Sequence, residues 1–478
     1  MDAGDRGIPT PGGEAPLRVR LQMSSFAADL VLPIGTDVLR SRQPDTIPNV
    51  YGAVERALAH PIGSAPLAAL CRAAAVRSAP GKSRVVVVVS DSTRPVPYKG
   101  DGILKPVLDA LFGAGIEPRL VTLLVATGTH RRLSEDETWG LFDKDIRETG
   151  VRVRCHDAYD EGMLERVGQT ASGGDVLMNR YYVEADMRIL TGLVEPHLMA
   201  GASGGRKSIC PGLLNVQGVQ DFHSPHVIGD PRSTDLVLDG NPCHEISLQI
   251  ARLVPGDFIV NATMGRDGKV AGIFAGGMEQ AHLAAFEQMR SFVEIPIEQL
   301  YDVAVTHSGH VGVNHYQAEK ACAVAAKAVR PGGYLVIVAD TTDPDPVGTP
   351  SYRRLITLLT EWGPEEFLRT IKSDNWQFVH DQWGAQVWAQ MLAKVPREHI
   401  YYFSPQTAGA DYEVLQCVYP PPPPQPVAGC SAGESVAGFV GEALERGMAA
   451  SEAETGRKAR VLYLPDGPHG IPVLATRS

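Results

Sequence analysis

The sequence predicts an α/β protein of two domains, each a mixed or mostly parallel sheet flanked by helices. Three observations carry that prediction. Val85 to Val89 is a run of five valines, the pattern of a strand buried on both faces of a parallel sheet. A polar loop, a helical pattern and a second apolar strand follow it, the rhythm of α/β sheets. The same strand–helix–strand rhythm returns between Val303 and Val338 and places a second domain from about residue 295. The length of 478 residues fits two or three domains at about 100–200 residues each.

Composition bounds the function. Hydrophobic residues make up 44 % and charged residues 21 %, which is ample material for a core. The 44 Lys and Arg stand against 55 Asp and Glu, a net charge of −11. That balance argues against binding nucleic acid or anionic lipid through bulk charge. No apolar run reaches the about 18 residues of a membrane span, so none is expected. Met1 to Leu17 is polar and rich in Gly and Pro, without the basic start and apolar stretch of a signal peptide. Residues 1–17 read as a flexible tail, and a cytoplasmic location is expected. The seven cysteines are scattered and form no CxxC pair. Buried reduced thiols are expected rather than a zinc ribbon or a disulfide framework.

Taken in order, the elements place the chemistry on loops. The valine strand ends in Ser90-Asp91-Ser92-Thr93-Arg94-Pro95-Val96-Pro97, which cannot continue a strand or easily start a helix. A helix follows over about Ile103 to Phe112, closed by Gly113. The next strand, Leu120 to Val125, ends in Ala126-Thr127-Gly128-Thr129-His130-Arg131. Both loops leave strand C-termini and should share one rim, where α/β sheets bind ligands. A strand at Met187 to Leu190 leads into a long segment from Gly192 to Ser208. Further strands are predicted at Phe258 to Ala262, Val270 to Phe274, Val303 to Thr306 and Tyr334 to Val338. A helix over about Tyr316 to Val329 joins the last two. Pro420 to Pro424 reads as a stiff exposed linker. A helix at Ala437 to Ala449 and a strand at Val461 to Leu464 close the chain.

Three constellations carry chemistry. Gly201 to Ser208 approaches a phosphate-binding P-loop, but Arg206 stands where that motif needs Gly, and the run does not directly follow an apolar strand. An anion cradle of another kind is expected, with small residues exposing backbone amides and Arg206 and Lys207 supplying charge. A plain Gly-rich turn is the alternative. Lys207 is either an anion contact or, with a depressed pKa, a nucleophile. His130, His197 and His223 lie in loops expected on one rim, which points to acid/base chemistry or a metal. Their spacing fits no zinc motif, and Pro225 weakens a shared face for His223 and His226. Asp91 and Arg94 share a loop, and Arg grips carboxylate or phosphate with a two-pronged fork. Gln317 and Lys320 fall on one helix face; ordinary solvated polar residues are the bland alternative.

Together these segments resemble the nickel-dependent lactate racemase family. The resemblance runs in order through Ser90 to Pro97, Gly128-Thr129-His130-Arg131, Glu195-Pro196-His197 to Ser208 with Pro211-Gly212, His223-Ser224, Asn241-Pro242-Cys243-His244-Glu245, Tyr316-Gln317-Ala318-Glu319-Lys320 and Leu464-Pro465-Asp466-Gly467-Pro468. It covers roughly residues 45 to 475. What it implies is a racemase or epimerase of 2-hydroxy acids, using a nickel-pincer nucleotide. That group is a pyridinium-3-thioamide-5-thiocarboxylic acid mononucleotide, tethered at Lys207. The resemblance makes His130 and His197 the acid/base pair and His223 a nickel ligand. Asp91, Thr129, Ser203, Gly204, Gly205, Arg206 and Ser208 stand at positions near the cofactor. Arg94, Tyr316, Gln317, Lys320 and Trp383 stand at substrate positions. Enzymes that make and load the cofactor are implied partners.

The chemistry is coherent with those residues. The C2–H of a 2-hydroxy acid is weakly acidic, so inversion through a 2-keto acid is easier than proton removal. That route needs a base on each side of the substrate, a hydride acceptor that no side chain supplies, and a carboxylate clamp. The active site is expected in the cleft between domains. The expected organisation is a tail at 1–17, an N-terminal cofactor-binding domain at 18–294, a C-terminal domain at 295–435, and a segment at 436–478 packing back on the N-terminal domain. The loop His307 to His315 departs from the Gly-Gly-Tyr-Pro-like loop that the resemblance leads one to expect, and Ala339 to Val347 differs as well. A substrate larger than lactate is therefore expected. The alternatives are a relative that binds or handles the nucleotide without turnover, and a phosphoryl-transfer enzyme using Gly201 to Ser208.

Overall fold

A computed structural model describes residues 13–77, 84–170, 173–418 and 430–475 of the chain. The proline-run linker and residues 1–12 of the expected tail lie outside the described residues. The chain divides into two compact units, Gln43–Ser291 and Met1–Arg42 with Phe292–Ser478.

The Gln43–Ser291 unit is built on a six-stranded sheet. Its spatial order is Val270–Gly276, Phe258–Met264, Met187–Leu193, Val85–Ser90, Val121–Ala126 and Arg152–Cys155. All neighbours are parallel except the first pair. Val85, Val87 and Val89 join an apolar cluster with Val54, Leu58, Leu104, Val107 and Leu111 of the covering helices. Val86 and Val88 are buried as well, on the opposite face by strand alternation. Each valine contributes up to about 1.5–2 kcal/mol of burial. The chain winds outward from Val85–Ser90 to Arg152–Cys155, then returns to the other side of Val85–Ser90 as Met187–Leu193. This is the doubly wound order, and its reversal opens a crevice beyond the C-termini of those two central strands. Both loops singled out in the sequence leave strands at that end of the sheet.

The second unit has its own five-stranded sheet, all parallel, in the order Ile400–Phe403, Val329–Val338, Tyr301–His307, Val461–Leu464 and Asp37–Val38. An antiparallel hairpin, Leu17–Gln22 with Ala27–Leu32, and a parallel pair, Glu294–Ile297 with Ile471–Leu474, complete its strands. The helices His315–Ala328, Gln382–Leu392 and Ala432–Thr455 belong to the same unit, as does Pro350–Ile371, which is two helices meeting at a kink at Gly363.

Two expectations about the domains are corrected. The 436–478 segment does not belong with the N-terminal domain: Val461–Leu464 lies between Tyr301–His307 and Asp37–Val38 in the second sheet. All four of its residues are buried, and an interior slot of a parallel sheet is what hides both faces of so apolar a strand. Residues 18–42, expected in the N-terminal domain, also belong to the second unit. The Ala432–Thr455 helix packs on Ala27–Leu32 and Val329–Val338 and holds the hairpin there.

Asp302 anchors the entry to the central strand of this second sheet. Its buried carboxylate accepts from Arg457 (2.7 and 3.0 Å), Arg330 (2.8 Å) and the Arg460 amide (2.9 Å). Burial pushes its pKa up, but these donors outweigh burial and hold it at about 2. Asp302→Asn should cost about 1–3 kcal/mol at neutral pH, read from urea melts. Because the folded pKa is depressed, the contribution is present above about pH 4. It fades as the pH falls towards 2, so parent and variant should converge in acid.

Six of the seven cysteines are buried and all are free, with Cys430 exposed. Among the described residues no helix is long and apolar enough to cross a membrane.

Candidate active site

Asp91 is the first residue beyond the valine strand. Its side chain is buried and accepts from the Thr93 amide (3.1 Å), the Thr93 hydroxyl (2.6 Å) and His130 Nδ1 (2.7 Å). Burial raises its pKa, but the bonds from His130 and Thr93 outweigh burial and lower it. His130 comes from the turn after the neighbouring strand, where Gly128 has φ +55°. The half-buried Thr129 lies between them in that turn. A carboxylate only accepts, so Nδ1 of His130 carries the proton. The neutral ring then keeps its lone pair at Nε2. The side chain is 56 % exposed, so that edge is accessible from solvent.

His197 is set in the reverse sense. It lies in a two-residue bridge, Pro196–His197 with Gly201–Ala202. Its Nδ1 faces the backbone amides of Met199 (3.3 Å) and Ala200 (3.2 Å), which can only donate. The neutral ring therefore carries its proton on Nε2. That nitrogen lies 2.7 Å from Lys207 Nζ. A hydrogen bond there requires an amine with a lone pair, which is a neutral lysine. The surroundings agree: burial, then Arg94 and Arg206, push the Lys207 pKa well below its usual value. No carboxylate pairs with Lys207 or Arg206 among the described residues.

Arg206 lies beneath this turn rather than on its surface. It is buried, and donates to the carbonyls of Ala200 (2.8 Å) and Ala202 (3.0 Å). Burial brings its pKa down to about 9. Gly204 and Gly205 have φ of +75° and +51°. A Cβ on Gly204 would stand 2.7 Å from Val194 Cγ2, and one on Gly205 2.7 Å from the His282 ring. Only glycine fits both the backbone and the space. The Gly205 amide donates to Asn261 Oδ1 (3.0 Å), and Ser203 Oγ donates to the Leu193 carbonyl (2.8 Å). The half-buried Ser208 leans on the Thr191 carbonyl (3.4 Å).

Arg94 does not stand alone in its loop. It pairs with Glu195 at 2.6 Å, so the loops after Val85–Ser90 and Met187–Leu193 are joined across the crevice. His223 closes the Val216–Phe222 helix, and its Nδ1 donates to the Val219 carbonyl (2.8 Å). Its neutral ring keeps a lone pair at Nε2. The Phe222 ring stands edge-on to His223 and 5.7 Å from Lys207 Nζ, placing both residues beside one aromatic side chain. His226 belongs to the next short helix, Pro225–Ile228.

Sequence reasoning missed Glu195 as a partner of Arg94, and missed Asn261 and His282 altogether. Asn261 left a signal, a lone amide in the otherwise apolar run Phe258 to Ala262. His282 Nε2 donates to the Ser203 carbonyl (2.9 Å) from a helix distant in sequence. Burial, then Arg206, bring the pKa of His282 down to about 3, which keeps the ring neutral.

The second unit carries the remaining predicted residues. Asn314 caps the His315–Ala328 helix by accepting from the Gln317 amide (2.9 Å). Gln317 and Lys320 meet on one face, with Lys320 Nζ donating to Gln317 Oε1 (2.5 Å). Tyr316 accepts a hydrogen bond from Trp383 Nε1 through its hydroxyl. A Cβ on Gly384 would strike the Tyr316 ring, so a glycine is what lets these two helices meet. Glu319 is buried, and burial pushes its carboxyl up to about 8. Within this unit the predicted residues form two pairs, Gln317 with Lys320 and Tyr316 with Trp383.

Residues 26–235 match the family model described as the lactate racemase N-terminal domain. The lactate racemase of Thermoanaerobacterium thermosaccharolyticum is 32 % identical over 342 residues, 71 % of this chain and 76 % of that protein. The lactate racemase of Lactiplantibacillus plantarum is 28 % identical over 463 residues, 96 % of this chain and 98 % of that protein. Among solved structures, the lactate racemase apoprotein from T. thermosaccharolyticum superposes with a TM-score of 0.77 at 26 % identity. It covers 96 % of this chain and 100 % of that one. A protein from Thermotoga maritima shares the fold, with a TM-score of 0.60 at 16 % identity, covering 91 % of this chain and 100 % of its own.

Proposed function

The chain belongs to the lactate racemase family, and from that premise we propose that it is a racemase or epimerase of 2-hydroxy acids with tails larger than lactate's. The observation that carries this reading is the opposite setting of two histidines. His130 presents a lone pair at Nε2, because its proton stays on Nδ1, which donates to Asp91. His197 presents a proton at Nε2, because backbone amides occupy Nδ1. Inverting a carbinol through a planar ketone needs a base to take the hydroxyl proton and an acid to return one from the other side. One ring of each kind meets that need at the start of a turnover. The end of a turnover leaves the pair reversed, ready for the opposite enantiomer.

The residues also suit the nickel-pincer nucleotide. Lys207 is a neutral amine beside His197, able to form the tether. His223 is assigned to the metal, and the bond from its Nδ1 to the Val219 carbonyl sets the tautomer that ligation through Nε2 needs. Asp91, Thr129, Ser203, Gly204, Gly205 and Ser208 are assigned to the cofactor, the two glycines by letting the turn pack closely on Val194 and His282. Arg206 supports this turn from below through its carbonyl bonds. Among the described residues no group of three or more His, Cys, Asp or Glu could hold a metal ion by itself. A nickel at His223 would take its other ligands from the nucleotide. When bound, the group supplies the hydride acceptor that no side chain provides. Cofactor-synthesis enzymes would load it.

Arg94 and Lys320 are assigned to the substrate carboxylate, with Tyr316, Gln317 and Trp383 contacting substrate. Arg94→Ala should lower kcat/KM by about 10- to 150-fold, the worth of one charged hydrogen-bonding group, mainly through KM. Steady-state rates with each enantiomer check this. The loops His307 to His315 and Ala339 to Val347 support a larger tail. A panel of 2-hydroxy acids with lengthening tails tests it, and activity that is best on lactate and falls thereafter would overturn it.

The reaction itself is tested with substrate deuterated at C2. Hydride transfer returns the label to C2, so the inverted product should keep its deuterium. Complete exchange of that label into water would overturn the hydride route in favour of proton abstraction.

A further inference from the structure

We propose that Lys207 of the cofactor-free chain is a carbonyl-reactive amine that takes up 2-oxo acids as a Schiff base, with His197 moving the protons. The juxtaposition that carries this is Lys207 Nζ at 2.7 Å from His197 Nε2, with Arg94 on the adjoining loop. The backbone amides on His197 Nδ1 leave its only proton on Nε2, so Nζ accepts: the amine is unprotonated, and the pair it uses for this bond becomes the nucleophile when the contact opens. Lysines become nucleophiles when they are desolvated or placed beside other cations, and Lys207 has both conditions. Titratable groups acting on it are Arg94, Arg206, Cys210 and Cys243, with His197 in contact and Phe222 covering it. Burial holds both thiols protonated, so neither supplies a countercharge.

The step balances without an added oxidant or reductant. Nζ attacks the keto carbon, and the C=O pair moves to oxygen, which takes the proton from His197 Nε2. The ammonium formed returns one proton to Nε2. His197 then protonates the hydroxyl, which leaves as water while the nitrogen pair closes the C=N bond. The last proton on nitrogen returns to His197. A guanidinium at Arg94 suits the carboxylate of the 2-oxo acid, though it must be drawn from Glu195. This activity does not depend on the racemase reading, since it needs no nucleotide. It belongs to the chain before loading, because a tethered Lys207 has no amine to offer.

The test uses the full chain expressed without cofactor-synthesis machinery, treated with pyruvate and cyanoborohydride. Intact mass and peptide mapping then read the reduced adduct. The expected result is one N-(1-carboxyethyl) group per chain, at Lys207, formed at least about ten times faster at neutral pH than on exposed lysines such as Lys269. Lys207→Arg should abolish that adduct. His197→Gln should slow it by about 10- to 100-fold. Should that variant misfold, the pH profile of the parent decides. Half-maximal labelling well below the range of an ordinary lysine supports the proposal, and a profile in the ordinary range overturns it. Acetaldehyde, which lacks a carboxylate but is the more reactive carbonyl, should favour Lys207 over exposed lysines less than pyruvate does. Equal selectivity would overturn the 2-oxo acid preference, and Lys207 labelling no faster than surface lysines would overturn the whole.

Discussion

Lys207→Ala should give a folded chain with no covalently attached nucleotide, no bound nickel and no measurable racemisation. The reasoning is chemical. No side chain in the set accepts hydride, so removing the residue that anchors the acceptor removes the reaction rather than slowing it. Lys207→Arg should do no better, because a guanidinium stays charged and offers no nucleophilic pair. The fold should tolerate the change: Nζ makes a single hydrogen bond, to His197, and the turn is held by Arg206, Asn261 and Ser203 instead. Intact mass, nickel content and chiral chromatography check the outcome on protein expressed with the loading enzymes. The parent should gain the nucleotide mass on the peptide containing Lys207. Full activity in the alanine variant would sink the assignment.

Asp91→Asn should lower kcat by about 10³–10⁴-fold while leaving the fold almost as stable. The magnitude follows the general case in which the carboxylate orienting a catalytic histidine is replaced by its amide. The amide can donate to Nδ1 of His130, which moves the ring proton to Nε2. Both histidines would then present N–H, and the pair would contain no base. The two enantiomers interconvert with an equilibrium constant of one. The loss in kcat/KM must therefore be equal from either side, and a one-sided loss would show that the assay follows another process. Thermal melts separate this effect from unfolding. The Thr93 bonds to Asp91 should survive in part, because the Asn oxygen still accepts.

What the sequence made legible follows burial. The valine strand could be read because both of its faces are buried, which leaves no polar residue to blur the run. The His315–Ala328 helix could be read from its alanine-rich periodicity. The Pro350–Ile371 helix was not foreseen. Gly363 with φ +76° and Pro364 break it into two helices, so no single helical period runs its length. The N-terminal hairpin was missed even though Leu17–Gln22 alternates apolar and polar residues, the period-two pattern of a half-buried strand. In the site, the loops beyond strand ends were legible because polar residues cluster where apolar strands stop. The Arg94–Glu195 pair was not, since nothing local links residues so far apart. The partners of Arg206 were hidden for a related reason. Charge next to glycine suggests a ligand contact, whereas its partners are carbonyls of its own turn, which carry no sequence signature. The place of Val461–Leu464 in its sheet depends on strand neighbours that periodicity cannot name.

That placement also orders the birth of the molecule. The Gln43–Ser291 unit has every strand of its sheet once residue 291 has left the ribosome. The other unit begins with the hairpin at Leu17–Leu32 but lacks an inner strand until Val461–Leu464 is made, and Ile471–Leu474 comes later still. At about 5–20 residues per second, the hairpin waits roughly ten to forty seconds for its sheet after the first unit is complete. During that interval the edge of Tyr301–His307 that will pair with Val461–Leu464 is open to wrong partners. Truncation from the C-terminus should therefore damage the half of the protein that is translated first and last, while the middle of the chain folds on schedule.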